Sequence, residues 1–294
     1  MSRRHYLFLF MLACAGCARP APAASLPTTT TRNLASATVP FDLYYGYLIV
    51  AHGSAGTLRD LNFLLDTGTS VPVLDSRIAQ KLHLAVEAPE SIVVLGGRAR
   101  GADATLPSLE FGPVRRSNLQ VVTTDLSFFR RILPTGIDAI VGLDVLGQTA
   151  FVIDYSAQAI RFGPSPSLPV SVPLRLSGGL ATFDAEIDHA PVHLAFDTGV
   201  SSLVLFDPAA PSPGSSTNGG AAARDVSDIG NFPSKAAHLG SVTLGGKEFR
   251  RRSAVLVSNP KLSQLDFDGL MSPPALGISR VAVDLKRGVL AFGR

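Results

Sequence analysis

The chain has 294 residues, of which 46% are hydrophobic, and this is enough for one large core or two smaller ones. Only 17% are charged and the net charge is +3, so the composition argues against a nucleic-acid-binding surface. The 27 glycines and 21 prolines, with few long helical patterns, predict an all-β protein that is mostly antiparallel and has a few short helices.

Residues 1–17 have the pattern of an export signal. A basic start precedes an apolar run that is too short to span a bilayer. The run ends in a Cys-Ala-Gly-Cys sequence that resembles a bacterial lipobox, which predicts a lipoprotein-type signal peptide with Cys17 as the lipidated residue. The alternative is ordinary cleavage within 18–24, which leaves a secreted or periplasmic protein. Both readings place the protein outside the cytoplasm, and the first holds it at the periplasmic side of a membrane.

The body that follows this leader has no cysteine, so no disulfide or thiol chemistry is expected in it. Residues 18–38 are rich in Ala, Pro and Thr and predict a flexible tether. Such a tether suits a globular domain that is held to a membrane by an N-terminal lipid anchor.

The next part of the chain, residues 39–163, is predicted as a first lobe. Its elements are a strand, a glycine turn, a strand that delivers Asp66, a return strand and a short helix capped by Asp75 or Ser76. These elements are placed at 39–52, 53–56, 61–65, 71–74 and 76–82.

The rest of this lobe is predicted as hairpins and strands. A hairpin over 91–100 has Gly96 and Gly97 at its tip, where glycine permits a tight turn. The remaining predicted segments are strands at 106–111 and 118–123, an apolar stretch at 138–143 and a closing hairpin of 151–154 with 159–162.

The segment Phe63–Ser70 occurs twice, because Leu194–Ser201 repeats it 131 positions later. Both copies run from three apolar residues into Asp-Thr-Gly, a tripeptide expected about 0.04 times by chance in a chain of this length. The repeat predicts a duplicated lobe, with the second copy at 171–294. A Pro-rich linker is predicted at 164–170 and a flexible insert at 210–223.

An aspartate at a tight glycine turn has a specific use when two copies face each other. Two carboxyl groups a few ångströms apart do not both ionise easily, so Asp66 and Asp197 are expected to share one proton. The ionised group then takes a proton from water and the protonated group donates to the carbonyl oxygen under attack. The hydroxyls of Thr67 and Thr198 are expected to lock the opposing loop.

These segments resemble the active-site loops of the aspartic peptidases, specifically the bacterial retropepsin-like group. There a hydrophobic–hydrophobic–Asp-Thr-Gly sequence is followed by a flap hairpin and an Asp-Gly-apolar-apolar-Gly segment. The first lobe matches at 64–68 and 138–142, and the second at 195–199 and 268–272.

The resemblance covers roughly 39–294 and implies a bilobal acid-protease fold, with two pseudo-two-fold-related lobes and a cleft between them. It implies peptide cleavage by Asp66 and Asp197 without metal or cofactor, and a flap at Gly96 and Gly97. The residues that it assigns to the active-site loops are Thr67, Gly68, Thr69, Thr198 and Gly199.

The second lobe departs from the family pattern at two positions. Ser272 stands where the family has glycine, and a side chain there is expected to shift Asp197. Val200 stands where the family has Ala, Ser or Thr. Because Thr69 is able to bond its own Asp66 and Val200 has no hydroxyl, we expect Asp66 to be the ionised member of the pair.

The sequence predicts an aspartic endopeptidase that is a monomer and takes a peptide or protein substrate. The alternative is a non-catalytic lipoprotein that binds peptides in the same fold. A third possibility is a dimer in which two first lobes pair across chains. His189 and His193 have the spacing of a zinc pair, but they flank Pro191 in a hairpin without a zincin glutamate, so no metal site is predicted.

Overall fold

The computed structural model describes residues 37–87, 90–94, 97–164, 166–207, 234–258 and 265–293. The predictions for the leader with Cys17, most of the tether, Gly96 and the insert at 210–223 lie outside these residues. Within them, the protein is mostly β, with three short α-helices and one 3-10 helix. The all-β prediction is therefore confirmed. Among the described residues, no helix combines the length and apolar character needed to cross a membrane.

The first half of the chain contributes eleven strands and all three α-helices within the described residues. The strands are β1 (Ala37–Pro40), β2 (Asp42–Tyr44), β3 (Leu48–Ala55), β4 (Leu58–Leu65), β5 (Val73–Asp75), β6 (Glu90–Val94), β7 (Gly97–Phe111), β8 (Val114–Thr124), β9 (Ala139–Val141), β10 (Phe151–Asp154) and β11 (Ala159–Phe162). The helices are α1 (Ser76–Lys81), α2 (Phe129–Ile132) and α3 (Leu143–Leu146).

The second half contributes ten strands within the described residues, together with the 3-10 helix Pro273–Leu276. The strands are β12 (Val170–Pro173), β13 (Arg175–Ser177), β14 (Leu180–Ile187), β15 (Ala190–Phe196), β16 (Leu203–Asp207), β17 (Ser234–Leu244), β18 (Lys247–Ser258), β19 (Gly269–Met271), β20 (Arg280–Asp284) and β21 (Val289–Gly293).

The strands form three sheets, and one of them is shared by both halves. Strands β2 to β9 make an eight-stranded sheet in the order β2-β3-β4-β9-β5-β8-β7-β6, and β13 to β19 make a seven-stranded sheet in the order β13-β14-β15-β19-β16-β18-β17. A six-stranded sheet in the order β1-β11-β10-β20-β21-β12 joins the halves through antiparallel pairing of β10 with β20. The bounds of the two predicted lobes stay predictions.

Several local predictions are confirmed by these elements. The closing hairpin has the predicted bounds in β10 and β11. Asp75 caps α1, because its side chain accepts a hydrogen bond from the Arg77 backbone N–H at 2.8 Å. The predicted hairpin with Gly97 is present, since β6 and β7 pair with Val94 opposite Gly97.

The prediction of one strand over 39–52 is wrong, because the segment divides into β1, β2 and the start of β3. Tyr45 and Gly46 have positive φ angles of 54° and 79°, which turn the chain between β2 and β3. The turn predicted at 53–56 is also misplaced, because β3 continues to Ala55. Gly53 lies inside this strand, where a Cβ atom would meet the Phe63 ring at 2.3 Å.

Candidate active site

Each Asp-Thr-Gly loop begins where a strand is held by a parallel neighbour. In the first half, β4 pairs with β9, and the Asp66 N–H donates to the Val141 carbonyl at 3.0 Å. In the second half, β15 pairs with β19, and the Asp197 N–H donates to the Met271 carbonyl, also at 3.0 Å. The three apolar residues before each acid are fully buried, and the two aspartates leave the sheets at equivalent points.

Four hydrogen bonds made by Thr67 and Thr198 join the two loops. The Thr67 N–H donates to Thr198 Oγ1 at 3.1 Å, and the Thr198 N–H donates to Thr67 Oγ1 at 3.0 Å. The Thr67 hydroxyl donates to the Phe196 carbonyl at 3.0 Å, and the Thr198 hydroxyl donates to the Leu65 carbonyl at 2.9 Å. The predicted locking of each loop by the opposing threonine is confirmed.

Each glycine of the pair of loops makes room for the carboxyl group of the opposite loop. A Cβ atom on Gly68 would lie 2.5 Å from Asp197 Cγ, and one on Gly199 would lie 2.7 Å from Asp66 Cγ. The same glycines donate within their own loops: Gly68 N–H to Asp66 Oδ1 at 2.9 Å, and Gly199 N–H to Asp197 Oδ1 at 2.7 Å. The structure thus brings Asp66 and Asp197 together.

The paired carboxyl groups are fully buried, and each keeps one oxygen without a donor. Asp66 Oδ2 and Asp197 Oδ2 have no hydrogen-bond partner among the described residues, whereas a proton shared between the two side chains satisfies both. Burial and then the Asp197 charge raise the pKa of Asp66 well above its usual range. Burial raises the pKa of Asp197 to about 6, against the lowering effect of the Gly199 N–H.

The expectation that Thr69 bonds its own Asp66 is wrong, whereas the order of ionisation within the pair stays a prediction. The Thr69 hydroxyl donates to the Val71 carbonyl at 2.9 Å, so it is not used on the Asp66 carboxyl group. Among the backbone groups, the N–H groups of both Gly199 and Gly68 lower the pKa of Asp197, whereas only that of Gly68 lowers the pKa of Asp66. Because the two carboxyl groups are coupled, they titrate as one pair.

These raised pKa values predict that the protein is more stable at pH 4 than at pH 7. The Asp197 carboxyl group has a pKa of about 6 when folded and near 3.8 when exposed, so the folded state binds more protons between these values. Stability contributed by this group is present below pH 3.8 and is lost as the pH rises through about 6.

The measurement is urea unfolding at several pH values. One carboxyl group moved by about two pH units corresponds to about 3 kcal/mol, and Asp197→Asn is expected to flatten the profile. A free energy of unfolding that increases from pH 4 to pH 6 would contradict the assignment.

Ser272 and Gly142 occupy equivalent positions beneath the two loops, and their surroundings differ. A Cβ atom on Gly142 would meet the Thr69 carbonyl oxygen at 2.4 Å and Thr69 Cγ2 at 2.7 Å. Ser272 is fully buried, yet the Asp197 N–H keeps the same 3.0 Å bond as the Asp66 N–H. The expectation that Ser272 shifts Asp197 is wrong. Val200 is also fully buried, in an apolar cluster with Leu180 and neighbouring side chains.

Exchanging these two residues is predicted to have unequal effects. Gly142→Ser is expected to lower the free energy of unfolding by about 2 to 3 kcal/mol and to reduce activity, because the side chain overlaps the Thr69 backbone. Ser272→Gly is expected to cost about 1 kcal/mol, the usual effect of added backbone freedom. Thermal unfolding of both variants at pH 5 measures the difference, and equal losses would show that the two positions are packed alike.

Sequence reasoning missed two tyrosines that lie near the acids. Tyr47 and Tyr155 are buried, and after burial the charge of Asp197 contributes to raising the pKa of both hydroxyls. Sequence reasoning also missed a contact between the halves, where a Cβ atom on Gly179 would lie 3.2 Å from Ser70 Cβ. None of these residues belongs to a recognisable motif, so only their positions in the fold could have identified them.

The remaining predicted residues belong to the flap hairpin and to the histidine pair. Gly97 begins β7, whereas Gly96 is among the residues that are not described, so the role of this hairpin as a flap stays a prediction. His193 Nδ1 lies 2.7 Å from Asp184 Oδ1 on the partly exposed β14–β15 hairpin. His189 lies in the turn of that hairpin, with a φ angle of 67°.

Residues 53–145 match the model of a family described as aspartyl protease. The chain is thus similar to aspartyl proteases over this range. The match includes the Asp66 loop and the Gly142 segment beneath it, and it ends within α3. The second Asp-Thr-Gly loop lies outside the match. No curated protein matches the chain. The comparison supports an aspartic peptidase family, and the narrower retropepsin-like assignment stays a prediction.

Proposed function

We propose that the protein is an aspartic endopeptidase in which one chain supplies both catalytic carboxyl groups, Asp66 and Asp197. The observation that carries the proposal is the mutual burial of these groups, each against the glycine of the opposite loop. A buried carboxyl pair with raised pKa values is the arrangement that general acid–base hydrolysis of an amide needs near neutral or acid pH. The aspartyl protease match over residues 53–145 supports the same reaction class.

In the proposed reaction, Asp66 begins protonated and Asp197 begins ionised. Asp197 takes a proton from a water molecule that attacks the peptide carbonyl carbon, while Asp66 donates its proton to the carbonyl oxygen. Asp197 then gives its proton to the leaving nitrogen as the carbon–nitrogen bond breaks, and Asp66 regains a proton from the tetrahedral intermediate. The pair ends with one proton, as it began, and no covalent enzyme intermediate forms.

Thr67, Thr198, Gly68 and Gly199 are proposed to maintain this geometry. The threonines hold the two loops at a fixed separation through their four hydrogen bonds. The glycines allow each carboxyl group to lie against the opposite backbone, where the low local dielectric strengthens the interaction between the acids. Both aspartates are fully buried, so substrate entry requires a part of the protein over the pair to move.

The proposal also covers assembly and location. Because Thr67 and Thr198 of one chain bond each other, a monomer contains a complete pair, and this favours a single-chain enzyme over a dimer of first lobes. An exported protein that is anchored at the periplasmic side of a membrane by lipidated Cys17 fits the leader sequence. We propose an extended peptide or protein as substrate, paired with the cleft in a strand-like manner.

The test is cleavage of an unstructured protein mixture by the purified chain from pH 3 to pH 8, with products identified by mass spectrometry. Cleavage by the wild type that is lost in Asp66→Asn supports the proposal. A folded wild-type protein that cleaves nothing at any pH overturns it and favours the peptide-binding alternative.

A further inference from the structure

The carboxyl oxygens of Asp144 are buried two residues after Gly142, and this group has no part in the proposed chemistry. Asp144 is the second residue of α3, and both of its carboxyl oxygens are buried without a hydrogen-bond partner among the described residues. Burial raises the pKa of Asp144 to about 6, although the Arg116 charge and nearby backbone N–H groups lower it in part. At pH 4 to 5 this side chain is therefore mostly neutral in the folded protein.

The charged groups around Asp144 do not pair with its carboxyl oxygens. Arg116 on β8 donates from Nη1 to the Asp144 backbone carbonyl at 2.7 Å. Arg115, its neighbour on the strand, pairs with Glu110 at 2.6 Å. Strand β9, which also packs against α3, has only apolar residues. Lys286 and Arg287 follow Leu285 in the turn after β20, and the Leu285 side chain packs against Gly147 at the end of α3.

Helix α3 and the Asp66 loop share one residue, Gly142. The Gly142 carbonyl accepts hydrogen bonds from the N–H groups of Val145 at 3.2 Å and Leu146 at 3.0 Å, which fixes the start of α3. On its other side, Gly142 packs so tightly that a Cβ atom would lie 3.1 Å from the Asp66 carbonyl oxygen. A change in α3 therefore reaches the Asp66 loop through a single residue.

We infer that neutral Asp144 is a positioning residue for the Asp66 loop, and that its ionisation loosens α3 and the Gly142 turn beneath that loop. Burial of this carboxyl group outweighs the nearby backbone N–H groups and the Arg116 charge, so its ionisation favours a state in which α3 opens towards water. The equivalent position of the second half is Pro274, which does not titrate. Ionisation of Asp144 therefore affects the Asp66 loop and not its counterpart in the second half. It sets an upper pH limit for activity that is separate from the titration of the acid pair.

The test is amide hydrogen exchange of residues 139–147 at pH 5 and pH 7.5, corrected for the intrinsic exchange rates. A carboxyl group with pKa about 6 when buried and 3.8 when exposed lowers protection by about tenfold between these pH values. The wild-type loss of protection is expected to exceed that of Asp144→Asn by about this factor. The acid pair is present in both proteins, so the difference isolates Asp144.

Asp103→Asn is the matched control, because it makes the same chemical change at an exposed position on β7. This variant is expected to lose as much exchange protection between pH 5 and pH 7.5 as the wild type does. If wild type and Asp144→Asn lose exchange protection equally between the two pH values, the inference is overturned. A wild-type protein with no loss of protection also overturns it, so the test does not depend on how well the variant folds.

The activity part of the test rests on the proposed peptidase function. With a cleavable peptide, the alkaline decline of kcat/KM is expected to move to higher pH in Asp144→Asn, while Asp103→Asn keeps the wild-type profile. If no peptide is cleaved at any pH, the proposed function fails, and the exchange experiment still decides the role of Asp144.

Discussion

Replacing Asp197 with asparagine is expected to lower peptide hydrolysis by roughly a thousandfold or more, the scale of an essential general acid–base group. Asparagine keeps the size of the side chain but cannot take the proton from water. The fold is expected to survive, because the change removes a buried group with a raised pKa and leaves the four threonine hydrogen bonds in place. Stability near pH 7 is therefore expected to be equal to that of the wild type or higher.

The measurement is kcat/KM at the pH optimum, with the free energy of unfolding determined on the same protein. Asp103→Asn serves as the control, since this side chain is exposed on strand β7 of the first-half sheet. Full activity in Asp197→Asn with loss in Asp66→Asn would refute the single-chain pair. It would instead support catalysis by two first halves in a dimer.

Replacing Thr67 with valine is expected to lower the free energy of unfolding by about 2 to 5 kcal/mol. Valine has the shape of threonine but no hydroxyl, so the Phe196 carbonyl and the Thr198 N–H would both be left buried without this partner. An unsatisfied buried group costs about 1 to 3 kcal/mol. Activity is expected to fall as well, because the two loops would no longer be held at a fixed separation.

Urea unfolding at pH 5 measures this effect, and Thr67→Ser is the matched control because serine keeps the hydroxyl. The double variant of Thr67→Val and Thr198→Val is expected to cost less than the sum of the single variants, since both act on one network. A loss in Thr67→Ser equal to that in Thr67→Val would assign the effect to the methyl group. Strict additivity in the double variant would argue against a shared network.

The two predictions that failed near the site have one cause. A threonine hydroxyl has one proton to donate, and that of Thr69 goes to the Val71 carbonyl in place of Asp66. Ser272 is accommodated in a buried position, whereas a Cβ atom at the equivalent Gly142 would overlap Thr69. Neither outcome is encoded in the spacing of the motif.

The sequence by itself determined the features that depend on neighbouring residues. The all-β character follows from short apolar runs separated by glycine and proline, and the cap of α1 follows from Asp75 directly before the helix. The duplication was visible because Asp66 and Asp197 stand in the same local context. The pairing of Thr67 with Thr198 was also predictable, since a duplicated loop that faces its copy leaves a hydroxyl few other partners.

Only the tertiary structure decided the features that depend on distant residues. Strands β10 and β20 join the halves in one sheet, although the local sequence of each predicts only a strand of its own hairpin. Burial of Asp144 without a partner likewise follows from the packing of α3 against β8 and β9. The physical reason is that strand pairing and desolvation are set by whichever surfaces meet in the folded protein, whereas turns and caps are set by contacts within a few residues.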